Sequence, residues 1–514
     1  MNTKLVIVKL FLLWTIVDTY KILGIFPYFE QDHFEFFEPL MKALAKKGHD
    51  VTVISHFPQD EPFPNYTDVA VNSNKPPRSL ENWETFKDTF YLKYLTPLFL
   101  ALSARTCCDK VLCHHNVKDL LESEQKFDMV IVELHNTRCF LGLANKFGEH
   151  LVGVSSSLLL PWNDSPMGIS SNPSYIPNSF MSYSDKMSFL ERLENTILYI
   201  GHHVFHALFI DIPDNWDVKK YVGKNTPDLD DIATNMSLII TNTHFTFTHA
   251  RPTVPSLIEV GGLHLGEHQP LPINIEKWIN ESTHGVIYFS LGSMIKGHTF
   301  PEEKRQMFLR AFSRLPQRVL WKWETEMPGK PDNVMIQSWM PQFDILCHPN
   351  VKAFIAHGGL LGTTEAVHCG VPMIIMPQFG DQFTNAKAVE ASGGGIVLDF
   401  RSLDEESIYN ALKTILEPSF NTKAKELSAR FRDRPLPPLD TAIYWIEYVA
   451  RHGGAPHMRT AAVGMPFYKY LLLDVALFLF VLILIFGYIG FLIARAILSG
   501  LFGGNTPEKK VKKN

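Results

Sequence analysis

The chain lacks the glycine fingerprint of a dinucleotide site: Gly393-Gly394-Gly395 has neither the GxGxxG spacing nor a first strand ahead of it, which argues against a dehydrogenase. Cysteine is scarce. Cys107, Cys108, Cys113, Cys139, Cys347 and Cys369 show no paired zinc spacing, and Cys107-Cys108-x4-Cys113 has no second ligand pair. A disulfide within that first group is admissible, with its partners left open. No Asp-x-Asp pair stands near a strand end to hold a metal. Positive charge is not in excess either: 48 Lys and Arg against 53 Asp and Glu give a net charge of −5, which argues against a nucleic-acid partner.

What is present points to a large α/β protein. With 514 residues, 46% hydrophobic and 20% charged, the chain can bury more than one core, and its length favours two or more domains. Ile22 to Phe26 reads as a strand and 34–47 as a helix whose Phe37, Leu40, Met41 and Leu44 recur at helical spacing. Gly48 ends that helix, and Val51 to Ile54 makes the next strand, so the unit is βαβ and its sheet parallel. Strands are also expected at Met129 to Val132 and Leu151 to Val154, with 155–235 richer in helix and loop. Prolines and glycines crowd 251–282, a linker composition. The pattern then restarts with strands at Val286 to Phe289, Val319 to Lys322, Val334 to Ile336 and Val351 to Ile355, and a helix near 301–313. Two Rossmann-like halves facing across a cleft are the expected architecture.

The most informative stretch runs from Phe354 to Gln382. Val351 to Ile355 is a short strand, His357-Gly358-Gly359 is the turn at its C-terminal end, and a helix is expected to open near Gly362-Thr363-Thr364. Glycines let a backbone approach a ligand closely, and a helix N-terminus offers free N–H groups to phosphate. Glu365, one turn in, can accept hydrogen bonds from vicinal ribose hydroxyls. Gly370-Val371-Pro372 breaks the helix, Met373 to Met376 is the next strand, and Asp381-Gln382 follows at its C-terminal edge, where open α/β sheets bind ligands. Singly these are ordinary turns and caps. In this order they describe a site for a nucleotide diphosphate sugar.

Together with Trp339-Met340-Pro341-Gln342 and Asp381-Gln382-Phe383-Thr384-Asn385, these motifs resemble the membrane-bound UDP-glycosyltransferases of animals, over nearly the whole chain, and Leu-Leu-Gly-Thr-Thr at 360–364 is similar to the insect branch. The resemblance implies a GT-B fold, a UDP-sugar co-substrate and no cofactor or metal. It implies that Trp339 stacks on the uracil and Gln342 bonds the base or ribose. Ser293, His357, Gly358, Gly359 and Thr363 would surround the diphosphate, Glu365 the ribose, and Asp381 and Gln382 the transferred sugar. Pro341, two residues further on, suggests a loop position for Trp339 that suits an aromatic platform, although a lone Trp is more often a core residue.

Transfer to a hydroxyl needs a base, and histidine titrates nearest neutrality. His33, in Gln31-Asp32-His33-Phe34 after the first strand, holds the cleft position, and the resemblance points to the same residue. Glu133 ends the strand 129–132, where many relatives carry aspartate, and is expected to orient His33 as a carboxylate does in hydrolase triads; Asp128, at the other end, reads as a strand-entry cap. Direct displacement by the deprotonated acceptor would invert the anomeric centre. Leu361 and Thr241 stand where vertebrate relatives carry an asparagine and a basic residue, so UDP-glucose is favoured over UDP-glucuronate. The acceptor is expected to be a small lipophilic alcohol or phenol. The rival readings are a UDP-glucuronate-using transferase, a catalytically silent membrane-anchored binding protein for apolar ligands, and a transferase extending glycans on proteins or lipids.

The ends of the chain set the expected location. Leu10 to Val17 is apolar between Lys4, Lys9 and the first strand, so 1–20 reads as a signal peptide. Val475 to Ala494 carries no charge and matches the ~30 Å hydrocarbon core. Arg495, Lys509, Lys510, Lys512 and Lys513 follow it, which places the tail in the cytoplasm and the bulk in the lumen. The lysines near the C-terminus resemble an endoplasmic reticulum retrieval signal. The expected division is 21–250 for the acceptor domain, 251–282 linker, 283–450 for the UDP-sugar domain, 451–474 juxtamembrane, 475–494 membrane helix and 495–514 tail. Sequons at Asn65, Asn163, Asn235 and Asn280 fit a luminal compartment, Pro166 making Asn163 the poorest, and a homo-oligomer is compatible with this picture.

Overall fold

The structure, a computed structural model, describes residues 19–71, 89–293 and 296–502, without the side chains of 89–93. The expected signal peptide up to its last two residues, and the lysine-rich tail from 503, lie outside the described residues.

Thirteen strands form two parallel sheets among the described residues. The first joins β1 (Lys21–Phe26), β2 (Asp50–Ser55), β3 (Tyr66–Ala70), β4 (Met129–Glu133), β5 (Leu151–Ser155), β6 (Leu238–Thr241) and β7 (Leu257–Glu259) in the order β3-β2-β1-β4-β5-β6-β7. The second joins β8 (Val286–Ser290), β9 (Arg318–Lys322), β10 (Val334–Gln337), β11 (Val351–Ala356), β12 (Met373–Ile375) and β13 (Gly395–Val397) in the order β10-β9-β8-β11-β12-β13. The central strands are unbroken apolar runs because helices cover both faces of each sheet: β4, β5 and β8 are buried at every position.

The helices used below are α1 (Gln31–Lys46), α2 (Thr89–Leu112), α3 (Cys139–Phe147), α4 (Phe189–His206), α5 (Ile212–Tyr221), α6 (Gln342–Cys347), α7 (Leu360–Cys369), α8 (Gln382–Ser392), α9 (Pro438–Arg451) and α10 (Leu473–Phe502). In each sheet the chain order reverses beside a central strand, between β1 and β4 and between β8 and β11. The loops leaving those strands diverge and open a crevice, the usual ligand position of doubly wound sheets.

The stretch between the two sheets is itself structured. The expected linker carries β7, which pairs with β6, and a helix, Ile273–Asn280, whose Ile275 and Ile279 enter the core of the second sheet. Helix α9 crosses back to the first lobe: Ala442, Ile443, Ile446 and Val449 pack with Phe37, Leu40, Met41 and Leu44 of α1, and Lys47 reaches Glu447 at 2.8 Å. Ala455 and Met458 extend that core past 450. The compact units are therefore 1–460 and 461–514. In the second, α10 is a helix long and apolar enough to cross a membrane.

Disulfides join Cys108 to Cys139 and Cys347 to Cys369, leaving Cys107 and Cys113 unbonded. A bridge within 107–113, which the sequence left open, does not form, because α2 lays Cys108 against the start of α3. Among the sequons, Asn163 is buried, its side chain turned to the His135 carbonyl, whereas Asn65, Asn235 and Asn280 are exposed.

Candidate active site

Two groups of residues meet at the crevice. On the first lobe, His33 stands in the first turn of α1, immediately beyond β1, and Glu133 closes β4, the strand beside it. His33 Nδ1 lies 2.6 Å from Glu133 Oε1 and 3.2 Å from Ser156 Oγ, so Nε2 is the nitrogen left for an acceptor. Burial opposes charging of the ring, but the adjacent Glu133 carboxylate outweighs it and raises His33 to about 10. Burial likewise raises Glu133, against the pull of His33, and its Oε2 is buried without a partner. The pair thus holds one proton strongly between its members. Tyr28 and His135 wall the imidazole, His135 edge-on at 4.8 Å between ring centroids.

On the second lobe, His357 follows β11 and its ring is held between two glycines. A Cβ on Gly359 would fall 2.5 Å from His357 Nε2, and one on Gly292 would fall 2.6 Å from Cε1. Burial lowers His357 to about 4, so the ring is neutral, and Nδ1 has no partner. Gly358 turns at φ +92° and its carbonyl accepts a hydrogen bond from Asn385 Nδ2 at 3.0 Å. Ser293 is exposed on the turn after β8, next to Gly292.

Gln342, at the start of α6, donates through Nε2 to Glu365 Oε2 at 2.6 Å. Burial raises the Glu365 carboxyl to about 7, against the Gln342 contact. Cys347–Cys369 ties the far ends of the two helices that carry this pair. Trp339 precedes them and is 68% exposed, a free aromatic face rather than a core residue.

Three expectations for this lobe change. Helix α7 opens at Leu360 with Gly359 as its N-cap, so the free N–H groups lie before Thr363. Thr363 itself bonds the Gly359 carbonyl through its N–H and buries its side chain completely, with Oγ1 left without a partner. Gln382 is 3% exposed and its Oε1 accepts the N–H groups of Gln378 and Phe379 at 2.9 and 3.3 Å; it shapes the loop before α8. Asp381 accepts from Asn385 Nδ2 at 3.0 Å.

The lobes meet within one compact unit. Thr384 of α8 reaches the carbonyls of Asn178, Ser179 and Met181 on the first lobe at 3.2, 2.9 and 2.8 Å. Charges couple across the crevice as well: Asp381 with His33, and His357 with Asp32. Lys322, last residue of β9, donates to the Gly292 carbonyl at 2.6 Å and faces Glu35 of α1. Sequence reasoning missed Lys322 and Ser156, although both stand where strands already expected come to an end. Among the described residues no group of three or more His, Cys, Asp or Glu gathers to hold a metal.

Two parallel sheets whose switch points face one crevice define a GT-B glycosyltransferase. Solved structures agree on the fold: the spinosyn forosaminyltransferase SpnP, at 17% identity, covers 84% of this chain and 100% of its own with a TM-score of 0.56, and the kitacinnamycin glycosyltransferase, at 14%, gives 0.55 over 84% and 99%. The chain belongs to the UDP-glucoronosyl and UDP-glucosyl transferase family, whose model matches residues 59–502, and a UDP-sugar is its co-substrate. It is 44% identical to the UDP-glycosyltransferase UGT5 of Dactylopius coccus over 97% of this chain and 98% of that one. It is 38% identical to UDP-glucosyltransferase 2 of the same insect over the full length of both, and 32% identical to UDP-glucuronosyltransferase 1A9 of Mus musculus over 94% and 93%.

Proposed function

We propose that the chain transfers glucose from UDP-glucose to the hydroxyl of a small lipophilic acceptor, with inversion and with His33 as the base. The observation that carries this reading is the His33–Glu133 pair at 2.6 Å, set at one switch point and facing the nucleotide residues at the other. Nε2 takes the acceptor proton, the acceptor oxygen attacks the anomeric carbon, and the C–O bond to UDP breaks with its electrons leaving on the phosphate. Glu133 fixes the tautomer and stabilises the imidazolium.

On the donor side Trp339 stacks on the uracil, and Gln342 with Glu365 takes the ribose. The diphosphate meets Ser293, the N–H groups opening α7 and the neutral His357, donors aimed where negative charge grows. Lys322 adds positive charge beside the same turn. Asp381 takes hydroxyls of the sugar, and Gln382 supports it by holding the loop. The preference for glucose rests on Leu361, partly buried against the first-lobe core, in place of a polar group. Thr241 contributes less, because its hydroxyl is buried against Thr243 at 2.8 Å.

The same reading makes α10 a membrane span, with the transferase unit luminal, 1–20 a cleaved signal, the lysine tail a retrieval signal to the endoplasmic reticulum, and Asn65, Asn235 and Asn280 the glycosylated sequons. The decisive assay uses membranes carrying the wild type or His33→Ala, a simple phenol, and UDP-glucose or UDP-glucuronate supplied separately. Transfer from UDP-glucose that vanishes in the variant supports the reading. Transfer surviving His33→Ala removes the base, and transfer from glucuronate alone removes the donor.

A further inference from the structure

A second histidine stands beside the base and has no part in the scheme above. His135 follows Glu133 by two residues, just past the C-terminal end of β4. Its ring lies edge-on to His33, with centroids 4.8 Å apart and planes at 81°. Tyr28 backs both rings, 5.7 Å from His33 and 5.2 Å from His135. The backbone around His135 is pinned on both sides. The Leu134 N–H donates to the Val154 carbonyl at 2.7 Å, and the His135 carbonyl accepts from Trp162 Nε1 at 3.0 Å and Asn163 Nδ2 at 3.4 Å. Trp162 is itself stacked on His206, the last residue of α4, at 4.8 Å. Two and three residues on, Thr137 Oγ1 and the Arg138 N–H donate to Asp214 of α5 at 2.7 and 2.8 Å. The ring so placed is half-buried, and among the described residues neither of its nitrogens has a hydrogen-bond partner or is sealed from solvent. Burial, with the charge of His33, holds it well below the usual histidine range, so it is neutral and keeps one donor and one acceptor. Phenylalanine would serve for packing alone. An imidazole here gives up hydrogen bonds to bulk water that only a ligand in the crevice replaces.

We propose that His135 selects the acceptor by bonding a second oxygen on the carbon next to the one that bears the reacting hydroxyl, so that catechols and other ortho-oxygenated phenols are favoured. This rests on the proposed reading of His33 as the base. Glu133 occupies His33 Nδ1, so the reacting hydroxyl meets Nε2, at a hydrogen-bond distance of about 2.8 Å. Two rings nearly perpendicular and 4.8 Å apart form a corner. An oxygen on the adjacent carbon of the acceptor lies in that corner beside His135, whereas an oxygen across the acceptor ring points out of it into the crevice. The neutral state matters. A neutral imidazole accepts the proton of a neighbouring hydroxyl, whereas a protonated one would set a like charge beside the imidazolium that forms on His33 during transfer. The second bond also stops the acceptor from turning about its reacting C–O axis and so holds the attacking oxygen toward the anomeric carbon, an orientational gain that one bond to His33 does not supply. The pinned backbone makes His135 a fixed reference for that alignment.

The test compares catechol with hydroquinone, which carry the same two equivalent hydroxyls and differ only in whether these are adjacent, with phenol as a third acceptor. It uses membranes carrying the full chain and the UDP-sugar that the wild type transfers. The wild type should favour catechol over hydroquinone by at least about fivefold in kcat/KM, the worth of one hydrogen bond, and mainly through KM. His135→Phe keeps an aromatic wall and should bring that ratio to within about twofold of unity, with phenol transfer falling less than catechol transfer. His135→Gln restores a hydrogen-bonding group and should recover part of the ratio. UDP binding confirms folding, and His135→Leu replaces a phenylalanine variant that fails to fold. A wild-type ratio near one overturns the proposal, and so does a ratio that persists in His135→Phe. An equal loss with all three acceptors overturns it too, leaving the ring a structural wall. Transfer that survives His33→Ala refutes the base instead: a catechol ratio still dependent on His135 then upholds the acceptor contact, and one independent of it rejects both. No transfer to any of the three acceptors likewise rejects both.

Discussion

His33 Nδ1 and Glu133 Oε1 stand 2.6 Å apart although a hundred residues separate them in sequence. The contact exists because β1 and β4 are neighbours in register, and both residues sit just past or at the C-terminal ends of those strands. Glu133→Gln keeps the shape and removes the charge that stabilises the imidazolium. It should lower kcat by about 10²–10⁴ with little change in KM for the UDP-sugar, and Glu133→Asp should recover part of the loss. Steady-state kinetics with both substrates varied decides it; an unchanged kcat rejects the pair as catalytic.

The direction of the His33 shift gives a pH dependence. With the folded value raised to about 10 by Glu133, the resting ring is protonated at neutral pH and the free base grows as pH rises. Transfer should therefore climb through pH 7 to 9, with a slope of about one log unit per pH unit. Removing the carboxylate removes what holds the proton, so Glu133→Gln should shift that climb to lower pH while its plateau falls. A kcat/KM profile of both proteins checks the sign, and identical profiles would reject the coupling.

Trp339 is open to solvent before the nucleotide arrives, so its truncation should cost binding and leave the fold intact. Base–aromatic stacking contributes about 1–3 kcal/mol, which corresponds to a UDP affinity weakened roughly 5- to 150-fold in Trp339→Ala. Calorimetric titration with UDP measures it, and an unaltered Kd places the uracil elsewhere.

The glycines around His357 are a steric requirement. Gly359→Ala would bring a methyl to 2.5 Å from His357 Nε2, forcing the ring off its position, and the turn would have to move with it. Donor affinity should fall by at least tenfold, with a circular dichroism spectrum like that of the wild type. Normal UDP binding in this variant would show that His357 does not meet the diphosphate.

Cys347–Cys369 fastens α6 to α7 at the ends opposite Gln342 and Glu365. Replacing both cysteines by alanine should raise KM for the UDP-sugar more than it lowers kcat, and lower stability by about 2–4 kcal/mol. A thermal melt alongside donor-varied kinetics separates the two effects. Loss of stability with an unchanged donor KM would make the bridge structural only.

The sequence by itself determined the reaction class, because its signals are local: turn glycines after apolar strands, a helix N-terminus, Trp339 before α6, and Glu365 one turn into α7 all act within a few residues of one another. It also placed His33 and Glu133 at strand ends, which is enough to nominate them once the sheet is known to be parallel. What it could not decide depends on contacts between distant segments. Tertiary packing turned Gln382 inward and started α7 early enough to bury Thr363. It paired Cys108 with Cys139 and brought α9 back onto α1.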